Sequence, residues 1–543
     1  MKKLSFLSIV LSLGYVASAQ RMASRGGDTT RPGTVVVTSA FKPTLRNQAK
    51  VNFNAGSPLP DTTRPTLRYT VPAQNLFFAY QPVPLKPLAL YVDTALYWKN
   101  ANYIKAGYGN YTTPYLQAGF SFGDGKKSVI NVHALHTSSK GSLPFQQFSK
   151  TNAEVVGVFT DPQNEWSGKA YLDNRTQYLY GYRPDTLKFT KEQLLKRYTD
   201  IGVNAGVRNK TVNSFGLSYQ PTIRMNVFND NLNGRESDFV LDAPVTKTIG
   251  TLFAFNLRLK ADFTKYITDS VHISNNLFSL SPSLQFNTPN FKVNAGFSPN
   301  WDNKIFKLLP DFTAEAKLND EKFVLQAGWV GNYVKNNYRS LSEFNPFVAQ
   351  PKQLLNTRVT EQYAGFKGSA GPHFTYNARV SYLHYSNHPL FVNDSLTGRN
   401  FLVVYEPDMQ AIRLHGEIGY TVQEKFSFAG SATFTQYSSQ QVYNKAYGLL
   451  PLELTGSLRW QVLKDLSVKS DLFFWDGPQY RNKQLQSQKQ QAAVDLNAGI
   501  EFTILPKFSF WVNFNNILND RYQRWNQYEV LGFNVVGGVV YSF

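Results

Sequence analysis

The stretch FAFNLRLKADF, residues 253–263, decides the fold. Phe253, Phe255, Leu257, Leu259, Ala261 and Phe263 fall on one parity, and Asn256, Arg258, Lys260 and Asp262 on the other. Side chains of a β-strand point alternately to opposite faces, so this stretch has one apolar and one charged face. The same pattern recurs toward the C-terminus. Ile412, Leu414, Ile418, Tyr420 and Val422 alternate with Arg413, His415, Glu417 and Thr421, and Leu452, Leu454, Leu458, Trp460 and Val462 with Glu453, Thr455, Ser457, Arg459 and Gln461. Val494, Leu496, Ala498, Ile500 and Phe502 oppose Asp495, Asn497, Glu501 and Thr503, and Phe508, Phe510, Val512 and Phe514 oppose Ser509, Trp511 and Asn513. Strands of a soluble sandwich are usually nearer five or six residues. Runs of about ten match a tilted crossing of a bilayer's hydrocarbon layer.

Composition agrees. Aromatic residues make up 15% of the chain, with 41 Phe and 31 Tyr, against only 17% charged. The mean hydropathy of −0.33 would ordinarily describe a soluble protein, but averaging cancels an alternation of apolar outside and polar lumen. The chain has no Cys, which excludes disulfides and thiolate metal sites. The fold alone must hold it, as a closed barrel with every backbone group paired can.

Residues 1–19 read as a secretory signal peptide. Lys2 and Lys3 precede an apolar run from Leu4 to Val16, and Ala17-Ser18-Ala19 forms a small-residue cleavage site. No Cys follows that site, so a lipoprotein anchor is excluded. Residues 20–100 are rich in Pro, Thr, Arg and Asn. Repeated Pro breaks both helix and ladder, so an extended arm is expected, periplasmic or lumenal. The formal net charge of the chain is +19. Between Gln20 and Leu90, Arg21, Arg25, Arg31, Lys42, Arg46, Lys50, Arg64, Arg68 and Lys86 face only Asp28 and Asp61. Export argues against nucleic acid as the partner; lipid phosphates, a polyanion or an acidic protein fit better, as does simple solvation.

From residue 101 to 543 the chain reads as strand after strand. Short polar turns are expected near Gly123, Asp161, Arg208, Asn287, Asn319, Gly368, Gln423, Lys464 and Leu505. Between them lie long segments at 139–149, 181–197, 335–355, 387–408, 439–450, 477–490 and 518–528. Short turns at one end and long loops at the other are the asymmetry of an outer-membrane barrel. The expectation is a transmembrane antiparallel β-barrel of about 22 strands, with a hairpin around Asp238 to Gly250.

The chain ends in FNVVGGVVYSF, where Phe533, Val535, Val539, Tyr541 and Phe543 share a face. Val539, Tyr541 and Phe543 resemble the C-terminal signal read by barrel-assembly machinery, which recognises an exposed strand edge by strand addition. The stretch FSFWVNFNNILNDRYQRWNQYEVLGFNVVGGVVYSF, Phe508 to Phe543, resembles the last hairpin of TonB-dependent receptors. The matching residues are Asn515, Asn516, Ile517, Leu518, Asn519, Asp520, Arg521, Tyr522 and Tyr541-Ser542-Phe543. NYIKAGYGNYTTPYLQAGF, Asn102 to Phe120, is similar to the first hairpin of Bacteroidota receptor-like barrels. Thr34, Val35, Val36, Val37 and Thr38 resemble a TonB box, a β-branched run suited to strand pairing with TonB or another periplasmic protein. The resemblance departs at one point. A globular plug normally follows the box, and the roughly sixty Pro-broken residues here are too few to bury a comparable core. The lumen is therefore expected to be occupied by the arm, by infolded loops or by a partner.

The resemblance implies solute uptake across the outer membrane. The alternative is a non-transporting structural or assembly barrel that docks a periplasmic or surface partner through its arm. Lumenal charges such as Arg258, Asp262, Arg413, Glu417, Arg459 and Asp471 line either a substrate path or simply a wetted wall. Tyr178, Tyr180, Tyr182, Trp475, Trp525 and Tyr528 are candidates for stacking on a ligand in the outer loops, or belong to an aromatic girdle. No catalytic, cofactor or metal site is expected. His133 and His136 point to opposite faces of a strand, His384 and His388 lack a third ligand, and no nucleophile has a matched base.

Overall fold

The computed structural model describes residues 102–543 apart from 184–185, 424 and 483. The expected signal peptide, the arm over 20–100 and the Thr34–Thr38 run lie outside the described residues. One sheet holds 23 antiparallel segments. Two of them, Leu217–Tyr219 and Thr222–Asp230, pair with successive parts of the same neighbour, Arg235–Ile249. They are one strand broken at Gln220-Pro221, where Pro cannot donate to the ladder, so the barrel has 22 strands. It closes where the first strand, Tyr103–Gly109, pairs with the last, Asn534–Ser542, from Tyr103↔Ser542 to Gly109↔Val536. Closure leaves no edge, which hydrocarbon would not tolerate.

Burial is inverted relative to a soluble protein, along the parity read from the sequence. Phe263 is 45% and Ile412 49% exposed, whereas Asp262 is 4% and Arg413 5% exposed. Apolar side chains face outward and charged ones line the inside. Inner charges pair with carboxylates on the adjacent strand, Lys169 with Glu154 at 2.6 Å and Arg459 with Asp471 at 3.0 Å, or across intervening strands, Lys367 with Glu315 at 2.7 Å and Lys105 with Glu501 at 3.2 Å.

Every expected short turn joins two strands at one end of the barrel, as in Phe291 following Asn287 or Leu466 following Leu463. Three expectations change. The hairpin around Asp238 to Gly250 is instead one continuous strand, Arg235–Ile249, paired along its length with Phe253–Ile267. Its inward residues Asp238 and Asp242 are satisfied within the wall, so polar composition there does not signal a turn. The long segment 387–408 belongs mostly to strands of 20 and 22 residues, Phe374–Asn393 and Phe401–Val422. At about 3.3 Å per residue these reach well beyond the roughly ten residues needed to cross hydrocarbon. The loop end is also less uniform than expected. The connections after Gly109, Asp230, Ile267 and Asp302 are as short as the turns.

The closing seam depends on glycine. Trp511 lies inside the seam, 1% exposed, and a Cβ on Gly107 would stand 2.5 Å from its ring. A Cβ on Gly538 would collide with the Ala106 carbonyl oxygen. Gly107→Val should therefore cost about 1–3 kcal/mol by overpacking. It should lower the temperature at which the folded band is lost in seminative electrophoresis, with partial recovery when Trp511→Ala is added. An unchanged transition would contradict this packing.

Candidate functional site

The loop end is covered by a folded cap made of the chain's own loops. Its apolar core joins Tyr338, Leu341, Phe344, Phe347, Val348 and Leu354 to Leu390, Phe391, Val392 and Phe401, to Ala446, Tyr447 and Leu449, and to Trp525 and Tyr528. Wall residues from opposite sides of the barrel enter the same core. Tyr198, Phe228 and Tyr266 come from the sixth, seventh and ninth strands, and Leu383, Tyr385 and Met409 from the fifteenth and sixteenth. In a ring of 22 strands the core therefore bridges across the mouth.

The sequence from Lys335 onward dictates how this segment enters. Asn337 caps a helix, Tyr338–Phe344, with its side chain accepting from the Ser340 N–H while the Ser340 hydroxyl accepts from the Asn337 N–H. This reciprocal capping fixes the first turn. One face of the helix presents Tyr338, Leu341, Ser342 and Phe344, all buried. The strands at 386–408 bend over the same core. The ladder runs from Ser386↔Asp408 to His388↔Glu406 and omits Asn387, whose φ is +56°, opposite Pro407.

Buried carboxylates of the wall hold the loop backbones. Glu236, 0% exposed, accepts from the Tyr338 N–H at 2.5 Å and the Arg339 N–H at 3.0 Å. Glu406 accepts from three successive N–H groups, of Gln441 at 2.8 Å, Val442 at 3.0 Å and Tyr443 at 2.8 Å. Side chains extend the pattern. Asn337 donates to Asp238 at 3.1 Å, Lys335 pairs with Asp262 at 3.2 Å, and the Tyr338 hydroxyl donates to Asp230 at 2.7 Å while accepting from Lys196 at 2.9 Å. Burial pushes the Tyr338 phenol well above its ordinary value, so it stays a neutral donor. Burial also pulls the Lys335 ammonium below the usual lysine range, against the opposing pull of Asp262.

The candidate stacking aromatics are partly brought together. Tyr528 lies on Phe347 with ring centroids 3.5 Å apart and donates to the Arg399 carbonyl. Tyr180 stands edge-on to Tyr528 at 4.9 Å and donates to the Glu529 carbonyl at 2.8 Å. Trp525 contacts Phe344, Phe391 and Phe401 at 5.2–5.6 Å. Tyr182 packs on Phe189, and Lys191 sits over Tyr178. Trp475 belongs to a separate small cluster with Leu450 and Ala493, edge-on to Tyr522. Val539, Tyr541 and Phe543 lie away from the cap on the last strand and just past it, the rings of Tyr541 and Phe543 stacked at 5.5 Å.

Among the histidines, His133 lies beside Gln117 and His136 beside Thr151. His384 pairs with Asp408 at 2.6 Å, whereas His388 is buried against the Tyr385 ring. Among the described residues no group of three His, Asp or Glu side chains is placed to hold a metal ion.

Sequence reasoning did not find Glu236, Glu406 or the capped helix. One signal was present: an outer loop carrying Tyr338, Leu341, Phe344, Phe347 and Val348 is too apolar to sit in water.

Comparison with known proteins bears on the fold. No family model and no curated relative matches the chain. Solved structures do. The FrpB iron transporter from Neisseria meningitidis aligns with TM-score 0.64 and 10% identity over 82% of each chain. The siderophore receptor PirA from Acinetobacter baumannii aligns at 0.63 and 9%, over 82% of this chain and 80% of that one. PirA from Pseudomonas aeruginosa aligns at 0.56 and 11%, over 82% and 79%. The chain carries the receptor-barrel fold. At such identity the likeness speaks for the fold, and the cap chemistry rests on this chain's own residues.

Removing the Glu236 carboxylate leaves two buried N–H groups without acceptors, a cost of about 1–3 kcal/mol. Glu236→Ala should speed hydrogen exchange at the Tyr338 and Arg339 amides at least tenfold, and Glu236→Gln by less. Unchanged exchange in Glu236→Ala would show that the carboxylate does not hold the segment.

Proposed function

We propose that this chain is an outer-membrane uptake barrel of the TonB-dependent-receptor type, in which the loop cap does the occluding that a globular plug would otherwise do. The observation that carries the reading is the cap itself: a single packed core bridging the mouth and fixed to the wall by discrete polar contacts at Glu236, Asp238, Asp262 and Asp230. Such a closure over a polar lumen is suited to being opened. The fold shared with proteins described as an iron transporter and siderophore receptors supports the same class.

In this reading residues 1–19 direct export and residues 20–100 form a periplasmic or lumenal arm. Thr34–Thr38 pairs as a strand with TonB or another periplasmic protein, and Val539, Tyr541 and Phe543 serve the assembly machinery. Outer-membrane lipid covers the apolar belt. Opening the cap would uncover Tyr180, Trp525 and Tyr528, with Tyr178, Tyr182 and Trp475 nearby, for stacking on an incoming solute. No step of this reading calls for catalysis.

A second reading, a non-transporting structural or assembly barrel that docks a partner through its arm, is favoured by one observation. The cap is a continuous apolar core rather than a thin strap, and so is costly to open. A chain without native Cys allows a clean test. Asn337 and Asp238, whose side chains meet at 3.1 Å, become a lock in the variant Asn337→Cys/Asp238→Cys. Uptake predicts solute flux into proteoliposomes under reducing conditions and its loss on oxidation, with higher conductance when residues 338–344 are deleted. No flux in any state supports the scaffold reading. For the arm, Val36→Pro should abolish capture of TonB; capture that survives the Pro contradicts strand pairing.

A further inference from the structure

Among the described residues most cations on the inner wall are ion-paired or hydrogen-bonded to a neighbouring side chain, and Lys260 and Arg224, beneath the cap, are not. The relevant rows are set by strand register. Thr222, Asp242 and Lys260 lie opposite one another across three strands, and Arg224, Val240 and Asp262 form the next inward row. Asp242 faces Lys260 but gives both oxygens to Arg258, at 2.8 and 2.5 Å. Asp262 is taken by Lys335 of the cap segment at 3.2 Å. Asp238, one row nearer the cap, already accepts from Asn226, Thr264 and Asn337. Asp200 is met by Asn226, by the Tyr171 hydroxyl and, at 3.8 Å, by Arg339.

Among the described residues, the Lys260 ammonium and the Arg224 guanidinium are left without a hydrogen-bonded acceptor, and the Arg224 Nε is buried with no partner. Arg224 lies beside Val240 and Lys260 beside Asp242, one inward row apart on either side of the strand Arg235–Ile249. Two inward cations one row apart across a single strand, with Asp242 bonded to Arg258 and Asp262 paired with Lys335, are a recess for negative charge. A guanidinium offers a fork to an oxyanion and a lysine a point charge.

The structure assigns Arg224 and Lys260 as a binding subsite for a small oxyanion, a phosphate or carboxylate group carried by a solute, directly below the cap. The assignment names the solute class for the uptake reading and rests on it for its purpose, though not for its existence. A solute admitted by the cap would exchange water for these two cations before leaving through the turn end, and Lys335 ties Asp262 to the cap segment above.

The test is equilibrium titration of the full chain in detergent with sodium pyrophosphate in one arm and citrate in the other. Saturable binding of either anion is expected, and which arm responds tells phosphate from carboxylate. Arg224→Gln/Lys260→Gln should weaken it at least tenfold. The charge-preserving Arg224→Lys/Lys260→Arg should retain it, and so should Lys105→Gln, whose cation is paired with Glu501 elsewhere on the wall. Retained heat-modifiable mobility in electrophoresis verifies that each variant is folded. Absence of saturable binding by the wild type, or equal binding by the Gln pair, would overturn the assignment. Because binding is read without flux, that outcome leaves uptake standing. A barrel that binds the anion yet passes no solute in any cap state would keep the subsite and remove uptake.

Discussion

Hydrocarbon offers no hydrogen bonds, so every backbone N–H and C=O at membrane depth must find its partner within the protein. The antiparallel register from Tyr103↔Ser542 to Gly109↔Val536 meets that demand by joining the ends of the chain. Once the ring is closed, side-chain direction is no longer free. Each strand must put one parity into lipid and the other into the lumen, and a slip of one residue would exchange them. Charged pairs such as Lys105–Glu501 and Arg459–Asp471 belong inside for this reason.

A closed ring of this size leaves a lumen that its own wall cannot fill. The chain solves this at one end. Strands that run past the membrane, Phe374–Asn393 and Phe401–Val422, bring Leu390, Phe391 and Phe401 over the mouth, and the segment after Lys335 folds down to meet them. Apolar packing supplies the bulk of the closure, while wall carboxylates set its position. Glu236 and Glu406 do the same job on different loops, each satisfying backbone N–H groups that would otherwise be buried without acceptors.

The barrel was legible in the sequence because lipid and lumen impose opposite chemistry at a period of two. Phe253 through Phe263 announces both faces without any knowledge of neighbours, and the short turns fall where polar residues interrupt the pattern. Strand length beyond the membrane was not legible. Above the hydrocarbon Leu390, Phe391, Val392 and Asn393 are buried at successive positions, so the alternation that marks a crossing strand disappears there. The cap was hidden for a related reason. Its contacts join residues far apart in the chain, such as Glu236 with Tyr338 or Tyr180 with Tyr528, and nothing local in either partner names the other. The aromatic clusters were visible as clusters. That Trp525 and Tyr528 form a core instead of facing water followed only from seeing Phe347, Phe391 and Phe401 beside them.

The central claim is that one face of each strand meets lipid and the other meets water. Single cysteines placed in turn along Phe253–Ile267, in a chain with none of its own, can carry spin labels in lipid vesicles. Collision with lipid-soluble oxygen should then dominate at 253, 255 and 263, and collision with a water-soluble nickel chelate at 256, 258 and 260, reversing at every step. Uniform access to the chelate along the strand, or oxygen preference on the charged parity, would contradict the account.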